Sequence, residues 1–442
     1  MDTPIFDFVQ NYIKSNTARL HMPGHKGVSF LGFEQYDITE IKGADELYAP
    51  SGIIRKSEEN ATLLFDTAKT VYSTGGSSQS INAMLYLAYQ KADKQTRPFV
   101  LAGRNAHKSF IYALAKLDAD VKWIYPKDTD SICSCILNGE MIENALKNLN
   151  SKPFAVYITS PDYLGGMSNI ESIANVCKKY DIPLLVDNAH GSYLKFYKRE
   201  LHPISLGADM CCDSAHKTLP VLTGGGYLHI AKSDKYGFSQ NAINAMGIFG
   251  STSPSYLIMQ SLDLCNKYLD EKIRNDIEEC GEKVAELRCL INEKGFGIVS
   301  AEPLKLTVDF RGFGFDFAEY FRKYGIEFEY SDNDFVVFMF SPQNSVEDFE
   351  KIKNAFENLH IETTHEFENI EFPKSEQAIT IRQAVFSDCE EIDIENALSK
   401  VCASPTVSCP PAIPIAISGE KITEKHIELF KKYNIEKILV VK

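Results

Sequence analysis

No stretch of the chain approaches the ~20 consecutive apolar residues that a membrane-spanning helix needs. The opening MDTPIFDFVQNYIK also lacks the basic-then-apolar order of a secretion signal, so a cytoplasmic protein is expected. Positive charge is short as well: 46 Lys and Arg against 60 Asp and Glu leave a formal charge of −14. Binding a phosphate backbone needs a basic surplus on at least one face, so the balance argues against a nucleic-acid binder. It is compatible with a cationic substrate, although acidic surfaces ordinarily do no more than keep a protein in solution. The eleven cysteines include the neighbours Cys211 and Cys212 and the close pair Cys133 and Cys135, but no repeated C-x-x-C pairs. That pattern fits buried or free thiols in a reducing compartment rather than disulfides or a zinc site, and no bound metal is expected. There is no internal repeat and no low-complexity tract. With 44% hydrophobic and 24% charged residues, the chain is neither disordered nor fibrous in composition. Its 442 residues are enough for two or three domains, each with a core of its own.

What is present has a clear order. Residues up to about Gly52 are rich in glycine, proline and charge, including HMPGHKG from His21, and read as an arm or extended loops. A helical stretch is expected from Ser57 to about Lys69, with Ala61, Leu64, Phe65 and Ala68 on one face. From Thr70 to about Ile230, short apolar runs alternate with helical stretches: FVLAG, VKWIYP, FAVYITS, PLLVDNAH, ADMCCDSAHK and GGGYLHI. Continuous apolar runs of this length, separated by helices such as Asn169 to Tyr180, predict strands buried on both faces of a mainly parallel sheet. A long amphipathic stretch from about Ser255 to Lys294 predicts a linking helix, and a smaller α+β domain follows it. The expected division is therefore 1–56 as arm and loops, 57–295 as an α/β major domain with its linking helix, and 296–442 as the α+β region.

Polar clusters follow the predicted strands, where α/β proteins place functional loops. DSAHKTLPVLTGGG sets Lys217 just beyond a buried run, with Ser214 and His216 before it and three glycines after it. A lysine at a strand end is usually exposed and inert, but these neighbours do not suit a solvated surface. LLVDNAHG ends another strand on Asp187, followed by Ala189 and His190. Alone, Asp187 could be a metal ligand, a general base or the partner of a protonated pyridine nitrogen. Together the aspartate and the lysine match the two anchors of a pyridoxal phosphate site, one keeping the ring nitrogen protonated and the other carrying the aldehyde as an imine. STGGSSQSINAML, with Gly76, Ser77 and Ser78, places glycines and hydroxyls before an apolar-periodic helix, where backbone N–H groups can face a phosphate. Taken alone, that segment is better explained as an ordinary Gly/Ser turn capping a helix, and it matches neither nucleotide-binding glycine motif. RNAHKSF offers His107 for stacking on an aromatic ring, although a loop histidine is commonly an incidental hydrogen-bonding residue.

These motifs, in this order, resemble the fold-type-I decarboxylases of ornithine, lysine and arginine, particularly their shorter bacterial branch. The resemblance runs through HMPGHKG, TEIKGADELYAPSG, STGGSSQSINAM, RNAHKS, SPDYLGG, LLVDNAHG, SAHKTLPVLTGGGYLH and STSPSYLIMQSLD, and returns in PPAIPIAISGE. It implies an aspartate-aminotransferase-like major domain, pyridoxal 5'-phosphate as cofactor, and Lys217 as the imine lysine. It also implies Asp187 at the pyridine nitrogen, His107 stacked on the ring, Ala189 against the other ring face, and Ser77, Ser78, Ser214 and His216 around the phosphate. The implied reaction is decarboxylation of a basic amino acid, arginine ahead of lysine or ornithine because the short branch is associated with arginine. A role in polyamine synthesis or acid resistance would follow. A homodimer or higher homo-oligomer is implied too, since fold-type-I sites lie at subunit interfaces.

Three departures bear on substrate choice: Asn188 replaces the acid that commonly follows the aspartate, Ala412 replaces the glycine of P-P-G-I-P, and the C-terminal region is reduced. Glu420, Asp45 and Glu46 are the carboxylates proposed to read a distal cation, with ordinary surface acids as the competing reading. An aminotransferase or another lyase on the same fold, and a regulator that has lost turnover, are the alternative functions.

Overall fold

The computed structural model describes residues 1–127, 129–359, 370–405 and 411–442; Pro410, the first proline of PPAIPIAISGE, lies outside them. The chain begins α1 (Pro4–Lys14), α2 (Ile53–Phe65), β1 (Thr67–Ser73), α3 (Gly76–Tyr89), β2 (Phe99–Gly103), α4 (Lys108–Leu117), β3 (Asp120–Ile124), α5 (Gly139–Lys147), β4 (Ala155–Thr159), α6 (Ile170–Lys179) and β5 (Leu184–Asp187). Next come β6 (Met210–Asp213), the single turn α7 (Ala215–Thr218), β7 (Gly226–Ala231), α8 (Ala242–Phe249), α9 (Tyr256–Glu271) and α10 (Ile273–Glu293). The remainder holds β8 (Gly297–Ile298), β9 (Lys305–Asp309), α11 (Gly314–Lys323), β10 (Tyr330–Ser331), β11 (Phe335–Met339), α12 (Val346–Glu357), α13 (Ile381–Phe386), β12 (Cys389–Asp393), α14 (Glu424–Lys432) and β13 (Lys437–Val441).

Two compact units are built from these elements, each from two separated stretches: Met1–Lys91 with Pro183–Ile277, and Ala92–Ile182 with Glu278–Lys442. In the first, the strand order is β1-β7-β6-β5. Strand β5 is parallel to β6, and β7 is antiparallel to both β6 and β1. Hence β1, β5 and β6 run the same way and end at one edge, where the loops STGGSS, DNAH and SAHK emerge. Helix α3, with Ile81, Met84 and Leu85 buried, packs on β6 and β7. In the second unit, β4, β2 and β3 are parallel. An antiparallel sheet of order β10-β11-β9-β8 and the pair β12-β13 complete it. Its core joins Tyr163, Val337, Phe372, Ile415 and Phe430.

Three local expectations are corrected. The first 52 residues are not all arm and loop, because Pro4–Lys14 is helical. Pro4 suits a first turn whose N–H has no helical partner, and Ile5 and Val9 are fully buried. Its cap comes from far away: the backbone N–H groups of Ile5 and Phe6 donate to the Asp263 carboxylate of α9 at 2.9 and 3.0 Å. The helix expected to reach Lys69 stops at Phe65, where Asp66 takes the left-handed conformation at φ 52°, and Thr67 begins β1. The linking stretch is two helices, interrupted at Lys272.

Among the described residues no helix is long and apolar enough to cross a membrane. The described cysteines are free, and all but Cys289 and Cys389 are buried.

Glu58 of α2 is buried and accepts a hydrogen bond from the Tyr72 N–H at 2.9 Å. Burial pushes its carboxyl up to about 8. The folded chain therefore keeps this proton through a range, above about 4.5, in which the unfolded chain has released it, and stability falls as pH rises across that window. Glu58→Gln should show little change in melting temperature at pH 5 and a gain over wild type at pH 8, on the order of 1 kcal/mol or more. Thermal unfolding at the two pH values measures it, and an equal effect at both would show that the carboxyl is ionised throughout.

Candidate active site

Parallel pairing of β5 with β6 sets Asp187 opposite Cys212. Asp187 is 2% exposed; its Oδ1 accepts from the Ala189 N–H at 3.2 Å and lies 3.5 Å from the Cys212 thiol. Beyond β6 the chain turns at once into α7, so Lys217 follows the strand end by four residues. The Lys217 Nζ lies 2.8 Å from Nε2 of His190, which is itself buried. The candidate lysine and the loop of the candidate aspartate thus meet within one unit, through a histidine that the sequence motif contains but to which no role had been assigned.

The STGG turn is the next component. Helix α3 starts after Gly75, which offers no side-chain cap. Gly76 has φ 65°, the left-handed region that glycine enters without a Cβ penalty. Its N–H donates to the Gly224 carbonyl at 2.7 Å, which ties this turn to the three-glycine loop. A Cβ on Gly226 would stand 2.6 Å from the Asp213 carbonyl oxygen, so the close approach of these backbones requires glycine there. His216 Nδ1 donates to the Gly225 carbonyl at 2.8 Å, and a Cβ on Gly76 would lie 3.7 Å from its Cε1. Gly76 and His216 are therefore neighbours. Ser77 is half-buried, Ser78 exposed and Ser214 buried, with the Ser214 carbonyl accepting from the Lys217 N–H at 3.0 Å.

Asp45 serves the local backbone. Its carboxylate accepts from the N–H groups of Ser51, Gly52, Ile54 and Arg55 at 2.8 to 3.3 Å, at the start of α2. Burial would raise its pKa, but these N–H donors bring it below the usual carboxylate range. Glu46 is exposed.

The second unit carries His107, the N-cap of α4, whose Nδ1 accepts from the Ser109 N–H at 3.1 Å. The same loop holds Arg104, fully buried, donating to the carbonyls of Pro414 and Ile415 at 2.8 and 2.7 Å. The guanidinium lies 5.3 Å from the Trp123 ring centroid and 5.4 Å from that of Phe372. Beside this clamp the Lys108 N–H donates to the carbonyl of Ala412, at 2.9 Å. Ala412 has φ 59°, so alanine occupies a left-handed position that favours glycine. Glu420 is 4% exposed, accepts from the Ile417 N–H at 2.9 Å and lies 3.8 Å from His426 Nε2. The ordinary-surface reading of Glu420 is corrected by that burial.

Among the described residues, one group of donor side chains is close enough together to hold a metal: His202, Cys211 and Asp213, within 4.8 Å of one another. The Asp213 oxygens are already met by N–H donors, which accounts for the cluster without an ion.

The residues present fit pyridoxal phosphate: a lysine and a buried carboxylate at adjacent strand ends, and an uncapped helix start whose glycine admits close approach. The architecture is that of a fold-type-I pyridoxal-phosphate enzyme, α/β with a mainly parallel sheet, as expected. A lysine decarboxylase of Francisella novicida superposes at a TM-score of 0.78 with 17% identity, covering 100% of this chain and 81% of that one. The constitutive lysine decarboxylase of E. coli gives 0.75 and 18%, covering 100% and 82%. Residues 3–359 match the family model of the Orn/Lys/Arg decarboxylase major domain, and the chain belongs to that family. Its relatives include an arginine decarboxylase of Bacillus subtilis (strain 168), 27% identical over 98% of this chain and 93% of the relative. One from Halalkalibacterium halodurans has the same identity and coverage.

Arg104→Lys should cost about 1–3 kcal/mol of stability, because an ammonium cannot reproduce the planar two-carbonyl contact and leaves a buried acceptor unmet. Chemical denaturation of the two proteins measures this, and an unchanged midpoint would mean that the clamp contributes nothing.

Proposed function

We propose that the chain decarboxylates a basic amino acid, arginine ahead of lysine or ornithine, with pyridoxal phosphate held by Lys217 and Asp187. The observation that carries the reading is the placement of these two side chains at adjacent strand ends, in a member of the Orn/Lys/Arg decarboxylase family. Linked to Lys217, the cofactor supplies the electron sink that accepts the pair left behind when CO₂ departs. The chain supplies the rest. The Asp187 carboxylate holds a proton on the ring nitrogen, and its burial strengthens that charge-assisted hydrogen bond. His190 Nε2, 2.8 Å from Lys217 Nζ, is placed to take the proton that the lysine must lose before it can act as a nucleophile. By the resemblance to the family, Ala189 and His107 are the residues that would face the ring. Gly76, Ser77, Ser78, Ser214 and His216 would hold the phosphate, beside the start of α3.

Of the three carboxylates proposed for the distal cation, Asp45 is the least available, because its oxygens already serve four backbone donors. The relatives support arginine: several that align over nearly the whole chain are arginine decarboxylases. A homodimer in the cytoplasm completes the proposal.

Incubated with pyridoxal phosphate, the protein should release CO₂ and an amine from arginine, lysine or ornithine without a keto-acid acceptor. Amino transfer with no CO₂ from any of the three would identify an aminotransferase instead, and a protein that takes up no cofactor would be the regulator. Lys217→Ala should abolish turnover and the visible absorbance of the bound cofactor; near wild-type CO₂ release would assign the anchor to another lysine. Asp187→Asn should retain cofactor but lower turnover by several orders of magnitude, because a neutral amide cannot hold the ring nitrogen protonated. Normal turnover per bound cofactor would make Asp187 purely structural.

A further inference from the structure

Asp213, the last residue of β6, points to the face of the strand opposite Cys212 and Asp187, and the function above makes no use of it. It is fully buried. Its Oδ1 accepts from Asn188 Nδ2 at 2.7 Å, and its Oδ2 faces His202 Nε2 at 3.1 Å and His229 Nε2 at 3.2 Å. Since burial favours the neutral acid, the carboxyl would titrate high alone, but the two imidazoles bring it well below the usual range. An ionised carboxylate only accepts, so both Nε2 atoms carry protons toward it. His229 is fixed in turn by the Thr70 hydroxyl on its Nδ1 at 2.9 Å, and the tilted Phe65 ring packs on it with the centroids 4.3 Å apart. The Asp213, His202 and His229 side chains are all buried, and each of these hydrogen bonds is correspondingly strong.

The position of the cluster in the chain gives it a consequence. Asn188 directly follows Asp187, and Asp213 precedes Lys217 by four residues. The Asn188 Oδ1 is buried with no hydrogen-bond partner among the described residues, so the orientation of this side chain depends on its bond to Asp213. A second tie from Asn188 is its backbone N–H on the carbonyl of Cys212, in β6, at 3.0 Å. We propose that Asp213 is a positioning residue for the cofactor anchors: through Asn188 it locks the loop bearing Asp187 to the loop bearing Lys217. This rests on the assignment of those two residues as anchors.

The test is a double-mutant cycle on the cofactor-loaded protein, with Asp213→Asn, Asn188→Ala and the two combined. The readouts are the cofactor dissociation constant and the visible circular dichroism per bound cofactor, which reports the orientation in which the ring is held. Each single change should weaken cofactor binding about tenfold, as expected for one lost hydrogen bond to a charged group, and should diminish the dichroism. The double variant should be no worse than the weaker single one, because both remove the same bond. Wild-type dichroism and affinity in the singles, even with a lowered melting temperature, or effects that multiply in the double, would overturn the proposal. If Asp213→Asn does not fold, Asn188→Ala decides alone: unchanged dichroism overturns the proposal and a diminished signal supports it. A wild-type protein with no visible cofactor band would instead overturn the cofactor assignment, and this inference with it.

Discussion

The register between Leu184–Asp187 and Met210–Asp213 governs everything at the candidate site. With Asp187 opposite Cys212, alternate side chains of the two strands divide between the faces of the sheet. Asp187 and Cys212 share one face, while Cys211 and Asp213 share the other with His202 and His229. A slip of one residue would exchange the faces, moving a buried carboxylate away from its partners on each side. Such an error is costly because unpaired buried charge is costly, so the same burial that tunes the site also enforces the register.

Glycine extends the constraint to the neighbouring loops. The TGG turn and the GGG loop approach within backbone contact, and side chains at Gly76 or Gly226 would respectively strain the turn or collide with the Asp213 carbonyl. The second unit reaches a comparable result with a different device. Arg104 gathers the Pro414 and Ile415 carbonyls with rigid donors between two aromatic rings, and the His107 loop is held by the same segment through Ala412. In each unit hydrogen bonds made by a buried polar group fix a loop that apolar packing alone would leave under-determined.

Much of this was legible in the sequence. The run FVLAG appears as β2, and the longer runs PLLVDNAH and ADMCCDSAHK contain β5 and β6, because strands buried on both faces need uninterrupted apolar stretches. In the first unit the polar clusters after β1, β5 and β6 emerge as loops at one edge. Helix α1 was not legible, since its cap is supplied by Asp263 from another part of the chain. The end of α2 at Phe65 was missed because Asp66 in a left-handed turn leaves no mark in the apolar periodicity.

The sequence by itself determined the fold class and the family and supplied the residues proposed for a cofactor site, because those follow from the order of apolar runs and from chemically distinctive short motifs. Only the tertiary structure decided what each carboxylate does. Asp45 caps a helix, Glu420 is buried against His426, and Asp213 joins two loops through Asn188 and two histidines. The role of an acid depends on the donors around it and on its exclusion from water, and both are set by residues distant in the chain, which no local pattern records.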